Sequence, residues 1–139
     1  MDYRKFQSKR LWLHFITVPF IWLPLFAILI LDLMVSIYQA ICFPVYGIEK
    51  VKRDAYILVR DRNKLQYLNA TEKLGCMYCG YANGFLLYAK EIAGRTEKYW
   101  CGIMHENKPG FKVDNDQTVH DFAKFGDEKE FKEKYGEIL

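Results

Sequence analysis

Two short clusters hold most of the residues in this chain that could do chemistry. Cys76-Met77-Tyr78-Cys79-Gly80 places two thiols two residues apart ahead of a glycine. Twenty-one residues later Trp100-Cys101-Gly102-Ile103-Met104-His105 places a third thiol four positions before an imidazole. A tight turn can aim both thiolates of a C-x2-C-G segment at one ion, and the glycine lets backbone N–H groups approach sulfur. The layout C-x2-C-x21-C-x3-H thus supplies four soft or borderline donors, which suits tetrahedral Zn2+. The expected metal ligands are Cys76, Cys79, Cys101 and His105, with Cys42 as the alternative fourth ligand if the domain folds back toward the membrane. Iron held by four thiolates would need Cys42, and a redox dithiol at Cys76 and Cys79 is the other competing chemistry.

A third constellation is polar and embedded in apolar sequence. Asp32, Ser36 and Gln39 recur at i, i+4 and i+7, a narrow stripe on an otherwise apolar helix. The stripe is expected to face headgroup water, and the other possibility is that it faces a partner helix or a polar pocket. Glu91, Arg95 and Glu97 lie between the cysteine clusters, as a solvated, ion-paired face or as support for the metal ligands. His14 is expected at the membrane interface and His120 in solvent. Asn69-Ala70-Thr71 has the form of a glycosylation sequon, which has meaning only in a secretory lumen. No Ser-His-Asp arrangement, phosphate-binding glycine loop or paired-carboxylate motif stands out.

The elements that must position these residues begin with a membrane anchor. Leu11 to Leu31 is 21 residues without a formal charge, and about 20 cross a ~30 Å hydrocarbon core. A cleaved signal peptide would have a shorter apolar run and a small-x-small site, and neither is present. Two complete crossings need about 34 to 40 residues plus a turn, more than Leu11 to Ile48 provides. One span therefore continues as Leu33 to Phe43, emerging or lying in the interface, until Pro44 ends it. Pro19 and Pro24 add a second route, a kinked helix that re-enters and leaves by the same side.

Charge is divided unevenly: residues 1–105 carry a formal +6 and residues 106–139 a formal −3. The excess cations flank the apolar stretch, so the expected partner is a bilayer with anionic headgroups, with other membrane subunits beside it. Nucleic acid is excluded, because basic and aromatic residues are not interleaved along any soluble face. Arg4, Lys5, Lys9 and Arg10 precede the span while Lys50, Lys52, Arg53, Arg60, Arg62 and Lys64 follow it. The larger cluster, and thiols that favour a reducing compartment, place the soluble part on the cytoplasmic side of the inner membrane.

The soluble part is expected to be a small α+β, metal-stabilised domain. Ala55 to Arg60 reads as a strand, and Asn69 with Glu72 as the cap of a short turn that Gly75 ends. Asn83 caps a helix to Ala93 that Gly94 stops, and Asp127 with Glu130 opens a terminal helix. Glu106 to Gln117 reads as a loop. The organisation is residues 1–48 as anchor with a basic flank, 49–105 as the cysteine-bearing domain, and 106–139 as an acidic extension.

Tyr78-Cys79-Gly80-Tyr81-Ala82-Asn83-Gly84, followed by Glu91-Ile92-Ala93, Arg95-Thr96-Glu97 and Tyr99-Trp100-Cys101, resembles a family of small uncharacterised bacterial membrane-anchored proteins. The likeness extends to Cys42-Phe43-Pro44. In that pattern proline follows the last cysteine, where Gly102 stands here. The resemblance implies a membrane anchor and no assigned activity, so it transfers no catalytic residue. The expected function is a zinc-stabilised, membrane-anchored interaction module, an accessory subunit rather than an enzyme. Its alternatives are a membrane redox protein or an interfacial enzyme on a lipid-phase substrate.

Overall fold

The computed structural model describes residues 11–112, 117 and 119–136. The basic flank before Leu11 and the side chain of His14 lie outside the described residues. Among the described residues three helices of eight residues or more dominate: α1 (Leu11–Tyr46), α2 (Ala70–Trp100) and α3 (Glu128–Tyr135). Two single 3-10 turns, Arg53–Ala55 and Arg62–Lys64, interrupt the connection between α1 and α2. The expectation of an α+β domain is corrected: no strand occurs among the described residues, and the one β-bridge is an isolated parallel pair, Ile103 with Ala123.

α1 is 36 residues, about 54 Å at 1.5 Å per residue. Its Phe15–Tyr46 stretch is long and apolar enough to cross a membrane, the one such helix among the described residues. Pro19, Pro24 and Pro44 all lie inside it. Pro44 does not end the helix as expected; only two more residues follow, so the proline forfeits one bond while the stop comes from Gly47. At φ +69°, Gly47 turns the chain so that the Ile48 N–H donates to the Phe43 carbonyl at 2.9 Å and its own N–H to Pro44 at 3.4 Å. These bonds satisfy carbonyls that the helix end leaves open.

α2 begins at the expected cap. The Asn69 side chain accepts from the Glu72 N–H at 2.9 Å, and the Glu72 carboxylate accepts from the Asn69 N–H at 2.8 Å. The helix then runs 31 residues, through both glycines that were expected to stop it and through the C-x2-C-G segment that was expected to turn. Asn83 is not a cap but an interior residue whose Nδ2 donates to the Cys79 carbonyl at 2.9 Å.

Contacts between the two helices ascend together in both sequences. Tyr78 reaches the Ile21 carbonyl, Tyr81 meets Asp32, Tyr88 meets Gln39, and Tyr99 stacks on Tyr46. The helices therefore run parallel, which obliges residues 47–69 to travel back along their length. That return path explains the interior glycines of α2. A Cβ at Gly80 would stand 2.7 Å from the Leu58 carbonyl oxygen, and one at Gly84 2.6 Å from that of Tyr56. Glycine costs ~1 kcal/mol against alanine in a helix, and here it admits the backbone of the return segment. Ala55 to Arg60, expected as a strand, belongs to this return path: Tyr56 and Ile57 pack against the core, Leu58 is exposed, and no strand among the described residues lies beside them to pair with.

Phe43, Val51, Phe85, Tyr88 and Ile92 form the buried core where α1, the return segment and α2 meet. Beyond α2 the chain folds back on itself. The Ala123 N–H donates to the Gly102 carbonyl and the Met104 N–H to the Ala123 carbonyl, both at 2.8 Å. α3 opens as expected, with the Asp127 side chain accepting from the Glu130 N–H at 2.9 Å.

Candidate functional site: a polar ladder between two helices

The polar stripe of α1 is turned inward. Asp32 and Gln39 are each only 7% exposed, so the expectation that the stripe faces headgroup water is corrected in favour of the partner helix. Arg53, carried back by the return segment, donates through both terminal nitrogens to the two Asp32 oxygens. The Tyr81 hydroxyl donates to the same carboxylate at 2.6 Å and the Ser36 hydroxyl at 3.3 Å. About two helical turns further, Gln39 is satisfied at both ends, donating to the Tyr88 hydroxyl at 2.7 Å and accepting the Val51 N–H at 2.6 Å. Eight residues beyond Tyr88 on α2, Thr96 spends its proton on the Ile92 carbonyl at 2.8 Å, so Tyr38, the residue before Gln39 on α1, donates across to the Thr96 oxygen at 3.1 Å.

These rungs follow from matched spacing. Asp32 and Gln39 are seven residues apart on α1, and Tyr81 and Tyr88 are seven apart on α2. In parallel helices both intervals advance by about 10.5 Å, so each polar group meets its partner at the same height. Burial, then the neighbouring Asp32 carboxylate, pushes the Tyr81 hydroxyl up to about 12, so the phenol stays a donor. The Asp32 hydrogen bonds likewise raise the Arg53 guanidinium above its ordinary value. The guanidinium also lies 5.7 Å from the centroid of the Tyr88 ring, joining the two rungs.

A second polar group holds the C-terminal segment. Glu97 accepts from the Gln117 amide at 2.7 Å, and Gln117 accepts the His105 N–H at 3.1 Å. Gln117 is 1% exposed. Glu91 accepts from Arg95 Nε at 2.7 Å, and Arg95 Nη1 donates to the Glu49 carbonyl at 2.7 Å. His120 Nε2 faces Glu91 at 3.6 Å; expected in solvent, His120 is half-buried and this nitrogen has no hydrogen-bond partner. Glu91, Arg95 and Glu97 therefore tie α2 to the segments around it.

The expected metal ligands are not brought together. Cys76 and Cys79 sit one turn apart on α2, whereas Cys101 caps its far end. Twenty-five residues of continuous helix separate Cys76 from Cys101, about 37 Å. His105 lies beside Glu97, with its Nε2 3.8 Å from that carboxylate. Cys42, the alternative ligand, is on α1, and all four thiols are free. Among the described residues no group of three or more His, Cys, Asp or Glu side chains is placed to hold a metal ion. The metal-stabilised domain is corrected for this reason: spacing that suits a turn was spent on a helix.

Arg53, Tyr81, Tyr88 and Gln117 are the site residues that pattern reading missed. The seven-residue tyrosine interval was the available signal for two of them. No family model, curated protein or solved structure matches this chain.

Proposed function

We propose that this chain is a membrane-anchored helix-pair module that holds a polar C-terminal segment at the bilayer surface for an assembly in the membrane. The observation that carries the reading is the inversion of α1. Phe26, Ile30, Leu33, Ile37, Ile41 and Val45, at helical spacing, are exposed by 51% to 76% along one face, while Asp32 and Gln39 are buried on the other. Water would favour the opposite arrangement, and lipid favours this one. The ladder is engaged internally, which supports a role in fixing helix geometry rather than in catalysis.

We infer further that the C-terminal segment lies in the cytoplasm at the inner membrane; the basic residues after the span and four thiols free of disulfides, which suit a reducing compartment, support that side. Alkaline extraction of membranes tests the anchor: the protein is expected in the pellet, and release into the supernatant overturns the reading. Protease treatment of inverted vesicles tests the side, with cleavage of a C-terminal tag expected there and protection in intact spheroplasts. Co-purification of the same membrane proteins from two mild detergents tests the assembly; recovery of the chain by itself in both removes it.

A further inference from the structure

At the C-terminal ends of α1 and α2 three aromatic side chains form one cluster, with Tyr46 half-buried and Tyr99 and Trp100 exposed. The Tyr46 and Tyr99 rings stack at 4.7 Å and 18°, and Trp100 meets both edge-on at 5.5 and 5.3 Å. Tyrosine and tryptophan at the end of a lipid-facing helix mark headgroup depth. Beside this cluster lies a cavity of about 430 Å3 lined by Ile48, Arg95, Lys98, Tyr99 and Tyr135, within the volume range of small-molecule sites. Three of its five walls are apolar or aromatic, and the other two are cations.

The two cations differ in their partners. Arg95 is fixed by the Glu91 carboxylate and the Glu49 carbonyl. Lys98 is half-buried and makes no ion pair among the described residues. Among the described residues one positive charge is therefore uncompensated, in a pocket whose other walls are Ile48, Tyr99, Tyr135 and the paired Arg95. A soluble anion would satisfy the ammonium and leave the rings idle, and an uncharged apolar ligand would do the reverse. An acidic group attached to an acyl chain satisfies both.

We infer that this cavity binds an anionic phospholipid, with Lys98 and Arg95 on its phosphate and with Ile48, Tyr99 and Tyr135 around the glycerol and first methylenes. The inference rests on the membrane-anchor reading and assigns it a specific lipid contact. Anionic lipid is chosen over zwitterionic because no carboxylate among the described residues offsets the lysine, and each well-placed lysine favours an anionic headgroup.

Native mass spectrometry of the purified full chain in mixed micelles of detergent, phosphatidylglycerol and phosphatidylcholine reads the bound lipid directly. Retained phosphatidylglycerol is expected to exceed phosphatidylcholine, and Lys98→Gln is expected to lower its retention about fivefold. Lys98→Arg should restore it, and Lys129→Gln, on the exposed face of α3, should change nothing. Equal retention of the two lipids, or unchanged retention in Lys98→Gln, overturns the inference. So does displacement of phosphatidylglycerol by millimolar inorganic phosphate, which would identify a free-phosphate site. Alkaline extraction of Lys98→Gln separates the two levels: a pelleted variant that keeps its lipid sinks only the pocket, whereas a wild-type chain found in the supernatant sinks the anchor as well.

Discussion

Removing one member of the Asp32–Arg53 pair tests whether the polar ladder holds the helices in register. Asp32→Asn preserves shape but converts one acceptor oxygen into a donor facing Arg53 and Ser36. The Tyr81 bond at 2.6 Å is charge-assisted, a class worth ~1.5–3 kcal/mol. The Arg53 side chain is 44% exposed against 10% for Asp32, so water screens the pair and its own share falls to ~1 kcal/mol or less. Asp32→Asn is therefore expected to cost about 2–3 kcal/mol, a fall of roughly 6–9 °C in melting temperature for a chain of this size. Arg53→Met leaves the carboxylate with its two hydroxyl donors and should cost ~2 kcal/mol, less than the 3–5 of a fully buried pair. The double variant should be milder than the sum by about 1 kcal/mol. Unfolding in detergent followed by tryptophan fluorescence gives all four corners of the cycle. If both single variants cost under ~0.5 kcal/mol and the coupling lies within the ~0.3 kcal/mol of independent sites, apolar packing alone holds the helices and the reasoning fails.

Gly84→Ala drives a methyl to within 2.6 Å of the Tyr56 carbonyl and 2.9 Å of the Ile57 Cα, and overpacking against backbone should cost ~1–3 kcal/mol in the same unfolding assay. Gly75→Ala, whose new methyl meets nothing within 4 Å, should instead stabilise by ~0.5–1 kcal/mol. Glu130 is held below the usual carboxylate range by the Lys124 backbone N–H first and the Lys134 ammonium second. Its contribution to α3 is thus present above the unfolded carboxylate pKa and lost as pH falls through the lower folded value. Amide exchange in α3 should rise over that acid window in wild type, and Glu130→Gln should flatten the change. Chelator treatment should leave the melting temperature unchanged, and maleimide should label the exposed Cys79 and Cys101 faster than the half-buried Cys42 and Cys76; a chelator-induced fall of several degrees would restore a structural metal.

The signals that were legible in the sequence are local. The Asn69/Glu72 and Asp127/Glu130 caps are hydrogen bonds across three residues, and the apolar run of α1 is a matter of length and composition. The reading of α2 failed where a local signal carried two meanings. Gly75 and Gly94 look like stops, and C-x2-C-G with Gly80 looks like a turn, unless the chain elsewhere needs room. That need arises at Gly80 and Gly84 from the return segment, whose residues 56–58 cross there. No window around position 80 contains that information.

The same distinction accounts for the polar stripe. Asp32, Ser36 and Gln39 define a face, but a face alone does not say what covers it, and headgroup water was the simpler occupant. The covering partner is written forty-nine residues away, in Tyr81 and Tyr88 at the same seven-residue interval. Equal intervals are meaningful only if the helices are parallel, because in an antiparallel pair the second contact would move away as the first formed. Parallel helices in turn require a long return connection. Residues 47–69 are that connection, and they repay their length by delivering Arg53 to Asp32 and the Val51 N–H to Gln39. The segment that looked like the first strand of a separate domain is the third component of the ladder, and the anchor and the region behind it are joined through it.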